Sequence, residues 1–68
     1  MTEIKRSWLG TVDAGNYVGV SAATMRRWRD ADKGPRSYMV GKDIRYDIID
    51  LDAWLEEQKA ATARGGVA

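Results

Sequence analysis

The short stretch Gly19-Val20-Ser21 constrains this chain more than any other feature, because it leaves room only for a tight turn between two helical segments. Gly19 suits the left-handed backbone conformation that commonly ends a helix, and Ser21 suits the cap that begins the next one. The surrounding residues predict a first helix from Thr11 to about Val18 and a second from Ala22 to about Ala31. We therefore expect two short helices joined by a tight turn.

The first predicted helix contains one unusual glycine. We expect Thr11 to cap this helix, and Val12, Tyr17 and Val18 to face inward. Gly15 lies inside the helix, where it costs about 1 kcal/mol relative to Ala. That cost indicates a close approach of another helix at this position.

The second predicted helix has two different sides. Met25 and Trp28 lie close together on a helical wheel, which predicts that both belong to the core. Ala23, Arg26, Arg27 and Asp30 fall on the opposite side. Two adjacent arginines beside a small residue leave a surface suited to close contact with something negatively charged.

The segment from Ser37 to Tyr46 predicts a β-hairpin with Gly41-Lys42-Asp43 at its tip. The residues expected on its inner face are Tyr38, Val40, Ile44 and Tyr46. Met39 and Arg45 are expected to point the other way, and Lys42 to lie at the tip. A two-stranded ribbon is not stable alone, so we expect it to pack on the helices.

The last predicted helix begins after Asp47, which is a good cap, and Asp50 forms a capping-box-like pair with it. Its core residues at helical spacing are Ile48, Leu51, Trp54 and Leu55. The pattern extends this helix to about Arg64, before Gly65-Gly66 stops it.

Charge is segregated along the chain, although 11 basic and 10 acidic side chains give a net charge of only +1. Residues 26–45 hold seven cations and three acids, which gives +4, whereas residues 47–57 hold five acids and no cation, which gives −5. The basic segment is the favoured contact surface for a polyanion. A solvated surface of mixed charge would show the same counts, so charge alone leaves both interpretations open.

The composition argues against catalysis. The 68 residues include no Cys and no His, so the usual thiolate and imidazole groups of enzymes and metal sites are missing, and a domain this small has little room for a substrate pocket. The acids at 47, 50, 52 and 56 follow a helical period without the Gly of a calcium loop. We predict no catalytic residue, metal, cofactor or small-molecule ligand. No apolar run approaches the ~18 residues of a membrane span, so we expect no membrane contact.

Several residues at fixed spacing identify a family resemblance. They are Gly19-Val20-Ser21, Thr24, Trp28, Pro35 seven residues after that Trp, Gly41, Arg45-Tyr46 and the run Asp50-Leu51-Asp52-Ala53-Trp54-Leu55. Their order resembles the small phage excisionases and AlpA-like regulators, which are winged-helix relatives of the MerR DNA-binding domain. The resemblance spans residues 9–55. It implies a small α+β fold, a winged helix-turn-helix with a two-stranded antiparallel wing and a C-terminal helix.

The resemblance also implies a DNA-contacting surface. It makes residues 21–29 the recognition helix and residues 38–46 the wing. The candidate DNA-binding residues are Ser21, Ala22, Ala23, Thr24, Arg26, Arg27, Arg29, Lys33, Arg36, Lys42 and Arg45. The chain departs from its relatives at Ala22 and Ala23, where they commonly carry polar or basic residues, and at Asp32 and Gly34. We therefore expect a looser or differently shaped link between the second helix and the wing.

The function implied by the resemblance is architectural. Such a protein binds and bends double-stranded DNA at attachment-site repeats, directs a phage integrase toward excision, and assembles in several copies. It would act in the cytoplasm of a bacterial host cell, at the nucleoid. We expect residues 1–8 to form a flexible or short extended N-terminus, residues 9–64 the DNA-binding domain and residues 65–68 a tail.

Two alternatives remain open from the sequence. An AlpA-like transcriptional regulator would use the same surface at a promoter, and no residue separates the two functions. A protein-interaction module of another class would instead use the acidic helix from Asp50 to Glu57. On DNA, Glu56 and Glu57 are the candidate contacts to the basic surface of a neighbouring copy.

Overall fold

The computed structural model describes residues 8–66. Its elements are β1 (Trp8–Leu9), α1 (Thr11–Val18), α2 (Ala22–Asp30), β2 (Tyr38–Val40), β3 (Asp43–Asp47) and α3 (Ile48–Thr62). The strands form an antiparallel sheet in the order β1-β3-β2. The predicted winged helix-turn-helix is confirmed, and the short strand β1 extends the sheet beyond the predicted two-stranded wing. The predicted domain boundaries stay predictions, since residues 1–7 and 67–68 lie outside the described part.

The turn between α1 and α2 forms as the sequence predicts. Gly19 has φ 91°, and its N–H donates to the carbonyl of Gly15 over 2.7 Å. Ser21 caps α2, because its hydroxyl accepts a hydrogen bond from the N–H of Thr24. The predicted cap of α1 is wrong. Gly10 occupies that position with an extended backbone and no side-chain cap, because Thr11 has already joined the helix.

Gly15 lies at the point of closest approach to the turn, as predicted. A Cβ atom at this position would lie 2.7 Å from the carbonyl oxygen of Val20 and 3.3 Å from Cγ of Met25. Contacts this short leave no room for a side chain. The absence of one at Gly15 therefore lets α1 pack directly against the turn and α2.

The hairpin register corrects the predicted faces of the wing. Tyr38 pairs with Arg45, Met39 with Ile44 and Val40 with Asp43, so the tip contains two residues rather than three. Paired residues point to the same face, and one face therefore carries Met39, Ile44 and Tyr46 while the other carries Tyr38, Val40 and Arg45. The prediction that Tyr38 and Val40 share the inner face with Ile44 and Tyr46 is wrong.

The core is small. Its buried members are Ala14, Met25, Tyr46 and Leu51, and the half-buried residues packed against them are Leu9, Val18, Val20, Trp28 and Ile44. The rings of Trp28 and Trp54 lie 5.3 Å apart beside it. The predicted inward positions of Val12 and Tyr17 are wrong, since these side chains are 56% and 45% exposed. The Tyr17 hydroxyl instead donates to Asp52 over 2.6 Å and so links α1 to α3.

The helix α3 starts at the predicted cap, where Asp47 accepts a hydrogen bond from the N–H of Ile49. Asp50 does not complete a capping box. It accepts a hydrogen bond from the Tyr38 hydroxyl over 2.6 Å and thereby ties the wing to α3. The helix ends at Thr62, two residues before the predicted end. Within residues 8–66, no helix is both long enough and apolar enough to span a bilayer.

Candidate nucleic-acid interface

The outer surface of α2 carries an exposed pair of arginines. Arg26 and Arg27 point to solvent because Met25, their neighbour, is turned into the core. The Arg27 guanidinium donates to the Thr24 hydroxyl over 3.4 Å, which holds it toward the start of the helix. Neither arginine forms an ion pair with any residue in the described part of the chain. Both charges are therefore available to a negatively charged ligand.

The first turn of α2 supplies the other candidate contacts. Ser21 donates its hydroxyl to Thr24 over 3.1 Å while it accepts from the Thr24 N–H, so these two side chains are already held in place. Ala23 is exposed and Ala22 is half-buried. The methyl group of an exposed alanine can contact the thymine methyl in the major groove, but the side chain cannot form a hydrogen bond to a base.

A second group of candidate cations lies at the other end of α2. Arg29 donates from Nε to the Ser37 hydroxyl over 2.9 Å and is thus turned toward the start of the wing. With Lys33 and Arg36 it lines an open cavity of about 610 Å³ whose other walls include Trp54 and Glu57 on α3. A nine-residue helix is about 13 Å long. Arg29, the eighth residue of α2, therefore lies about 10 Å along the helix axis from the first residue, and Lys33 and Arg36 follow the end of the helix in the chain.

The link between α2 and β2 is tight. Asp32 takes a left-handed conformation with φ 60°, and Gly34 follows with φ 76°. A Cβ atom at Gly34 would lie 2.9 Å from Cε3 of Trp28, so the chain passes directly over the indole ring. The two departures from the family pattern thus coincide with two left-handed residues. The sequence predicts a looser or differently shaped link, and the looser alternative is not found because this segment packs on Trp28.

The wing has one exposed cation at its tip and a second cation that forms an ion pair. Gly41 has φ 66° at the first position of the two-residue tip, and Lys42 follows it in an exposed position. Arg45 forms an ion pair with Asp43 over 3.3 Å and donates to the carbonyl of Ile44. Arg45 therefore neutralises the acid nearest the tip, and Lys42 carries the free charge of the wing among the described residues.

Sequence reasoning missed Trp8 on the outer face of the wing, and it assigned both Met39 and Val40 to the wrong face. On the outer face, Trp8 packs edge-on against Tyr38 with ring centroids 5.4 Å apart, across β3. In β2, Met39 and Val40 are 56% and 51% exposed on opposite faces. A two-residue tip would have predicted both placements, since the tip length sets which residues share a face.

Two arginines of α2 affect the pKa of the buried Tyr46. Burial raises the pKa of Tyr46 above its ordinary value, and the positive charges of Arg29 and Arg26 oppose part of that increase. Acidic residues also lie near the surface of α2, with Asp30 at the end of α2 and Asp32, Asp50 and Glu57 in the wall of the cavity, whereas Glu56 pairs with Lys59 over 3.5 Å on exposed α3. Residues 8–66 contain no group of acidic side chains arranged to hold a metal ion.

Two helices locked by a tight turn, an exposed arginine pair on the second helix and a cationic hairpin beside it define a winged helix-turn-helix, the architecture of a class of DNA-binding domains. A family model described as a helix-turn-helix domain matches residues 8–59. The chain belongs to that family. A search of curated proteins found no match.

Proposed function

We propose that this protein is an excisionase-like architectural factor, which binds and bends repeated sites in attachment-site DNA and directs a phage integrase toward excision. The observation that carries the proposal is the exposed Arg26–Arg27 pair, uncompensated within residues 8–66, on the outer surface of α2. Membership of the helix-turn-helix family supports DNA as the ligand. The order of residues from Gly19 to Leu55, which resembles excisionases, supports the architectural role.

The chemistry of the surface agrees with a bending protein that acts in several copies. Its cations suit phosphate contacts, which position a protein on the duplex but do not read its sequence. Ala22 and Ala23 occupy the first turn, where base-reading side chains would be most useful. Such a domain binds one site weakly, and it gains selectivity from several linked copies and from the deformability of the DNA.

The dependence of DNA affinity on salt tests the proposed surface. If about six phosphates are contacted, the plot of log affinity against log salt concentration has a slope near −5. The double variant Arg26→Glu, Arg27→Glu reduces the size of that slope by about 2, because two contacts are lost. The matched control is Lys59→Glu, Arg64→Glu, which changes the total charge equally but at the exposed end of α3 and beyond it. Equal affinities for the two double variants would refute this surface.

An integrase-dependent recombination assay separates excisionase from regulator. The purified protein is added to a recombinase and a substrate with both attachment sites, and excised product is measured. An excisionase raises the excised fraction and the arginine double variant does not. An AlpA-like regulator would bind DNA through the same surface. It would leave recombination unchanged and alter transcription from a bound promoter. DNA binding unaffected by the arginine variant would favour an interaction module built on the acidic helix.

The proposed assembly on DNA places Glu56 and Glu57 against the basic surface of the next copy. Both side chains are exposed on α3, where Glu56 has only the weak surface ion pair with Lys59. Neutralising both acids to Gln is expected to lower cooperativity on DNA that carries several sites while leaving single-site affinity unchanged. Unchanged cooperativity would remove this contact from the proposal.

A further inference from the structure

The distal part of the wing combines an exposed apolar side chain with an uncompensated cation. Met39 is 56% exposed in the middle of β2, and Lys42 lies three residues beyond it at the tip. The segment from Lys33 to Lys42 holds three cations and no acid. The nearest acid, Asp43, is paired with Arg45 over 3.3 Å. An apolar side chain in these surroundings suits contact with a polyanion better than contact with an apolar protein surface.

The two exposed apolar residues of β2 are not equivalent. Met39 shares its face with Ile44 and Tyr46, and Tyr46 belongs to the buried core cluster that also contains Met25 of α2. Val40 shares the opposite face with Asp43. Met39 therefore lies on the face of the sheet that is turned toward the core and the helices, whereas Val40 lies on the opposite face.

We propose that Met39 is an apolar wedge, which enters the DNA minor groove and partly unstacks one base step while Lys42 contacts the adjoining phosphate. This inference rests on the proposed function, and it supplies a physical means for the bend. An inserted apolar side chain kinks a duplex most easily at a flexible pyrimidine–purine step. The unbranched thioether of Met suits this task, because it adapts its shape to an irregular gap.

Two duplexes made only of A·T pairs test the wedge. One contains alternating T-A steps, which are flexible, and the other contains A-tracts, which are stiff and have a narrow minor groove that attracts cations. Both present the same acceptors in the minor groove, so deformability and groove width are what differ. A wedge favours the T-A duplex, whereas contact through Lys42 alone favours the A-tracts.

Wild-type protein is expected to bind the T-A duplex about tenfold more tightly and to bend it, as measured by fluorescence anisotropy and by energy transfer between the duplex ends. Met39→Gln keeps the length of the side chain but makes it polar, and it is expected to lose the preference and most of the bend. The matched control Val40→Thr makes an equally conservative change on the opposite face and is expected to retain both. Circular dichroism checks that both variants fold.

The remaining outcomes overturn either the wedge or the proposed function. A wild-type protein that binds the duplexes equally, or prefers A-tracts, overturns the wedge while leaving DNA binding intact. Met39→Gln with the wild-type preference and bend also overturns the wedge, as does an equal loss in Val40→Thr, because the face would then not matter. Wild-type protein that binds neither duplex at low salt overturns the proposed function itself.

Discussion

Replacing Gly15 by Ala sets two local effects against each other. The intrinsic preference of Ala for helices favours the variant by about 1 kcal/mol. The new Cβ would lie 2.7 Å from the carbonyl oxygen of Val20, and because that atom belongs to the backbone of the turn, it cannot rotate away. Overpacking of this kind costs about 1–3 kcal/mol, and a backbone obstacle puts the cost toward the upper value. We expect a net destabilisation of about 1–2 kcal/mol.

Thermal unfolding followed by circular dichroism measures this balance. For a domain of this size each kcal/mol lowers Tm by roughly 4–8 °C, so the loss is well within reach of the assay. The matched control is Asn16→Ala, an exposed position on the same helix, where only propensity acts. It is expected to raise stability by a few tenths of a kcal/mol. If Gly15→Ala were as stable as wild type or more so, the close approach of α1 to the turn would not be the reason for this glycine.

Two further perturbations test the core and the hydrogen bonds that tie α3 to the rest of the domain. Leu51 is completely buried, so Leu51→Ala is expected to cost about 2–5 kcal/mol in urea unfolding, more than the same change at half-buried Leu55. Hydrogen bonds to Asp52 and Asp50 raise the pKa values of Tyr17 and Tyr38 above 10.0. The stability that these two hydrogen bonds contribute is therefore complete below pH 10.0. It is lost as pH rises through the raised pKa values of the two tyrosines, when tyrosinates form. Urea unfolding at a series of alkaline pH values, with tyrosinate absorbance followed in parallel, checks this. The double variant Tyr17→Phe, Tyr38→Phe should show a smaller fall in the free energy of unfolding over that pH range.

The helical half of the fold could be predicted because its signals are local. Gly19 and Ser21 each act on the backbone within a few residues, so they place the turn and the bounds of α1 and α2 almost to the residue. The inward residues of α1 could not be predicted as well. A helix of eight residues offers barely two turns, and Val12 and Tyr17 fit an inward stripe on a helical wheel although both are exposed.

The prediction of the wing's faces was wrong for a different reason. Gly41-Lys42-Asp43 is compatible with a two-residue or a three-residue tip, and a change of one residue moves every side chain of one strand to the other face. The choice depends on long-range contacts, such as the hydrogen bond from Tyr38 to Asp50 and the packing of Trp8 on Tyr38. The two-residue tip makes Asp43 the first residue of β3, where it shares a face with Arg45 and pairs with it, whereas the sequence interpretation places Asp43 in the tip.

The packing of α2 links the stability of the domain to the orientation of its arginines. Successive residues on a helix are separated by about 100°, so the inward position of Met25 decides where its neighbours Arg26 and Arg27 point. Met25 lies 1% exposed against Ala14 and Leu51, and it contacts the space that a side chain at Gly15 would fill. A change at Leu51 weakens the core, but Met25 still sets the orientation of Arg26 and Arg27. A change at Met25 or Gly15 alters both, and its effect on DNA affinity should therefore exceed the effect expected from the loss of folded protein alone.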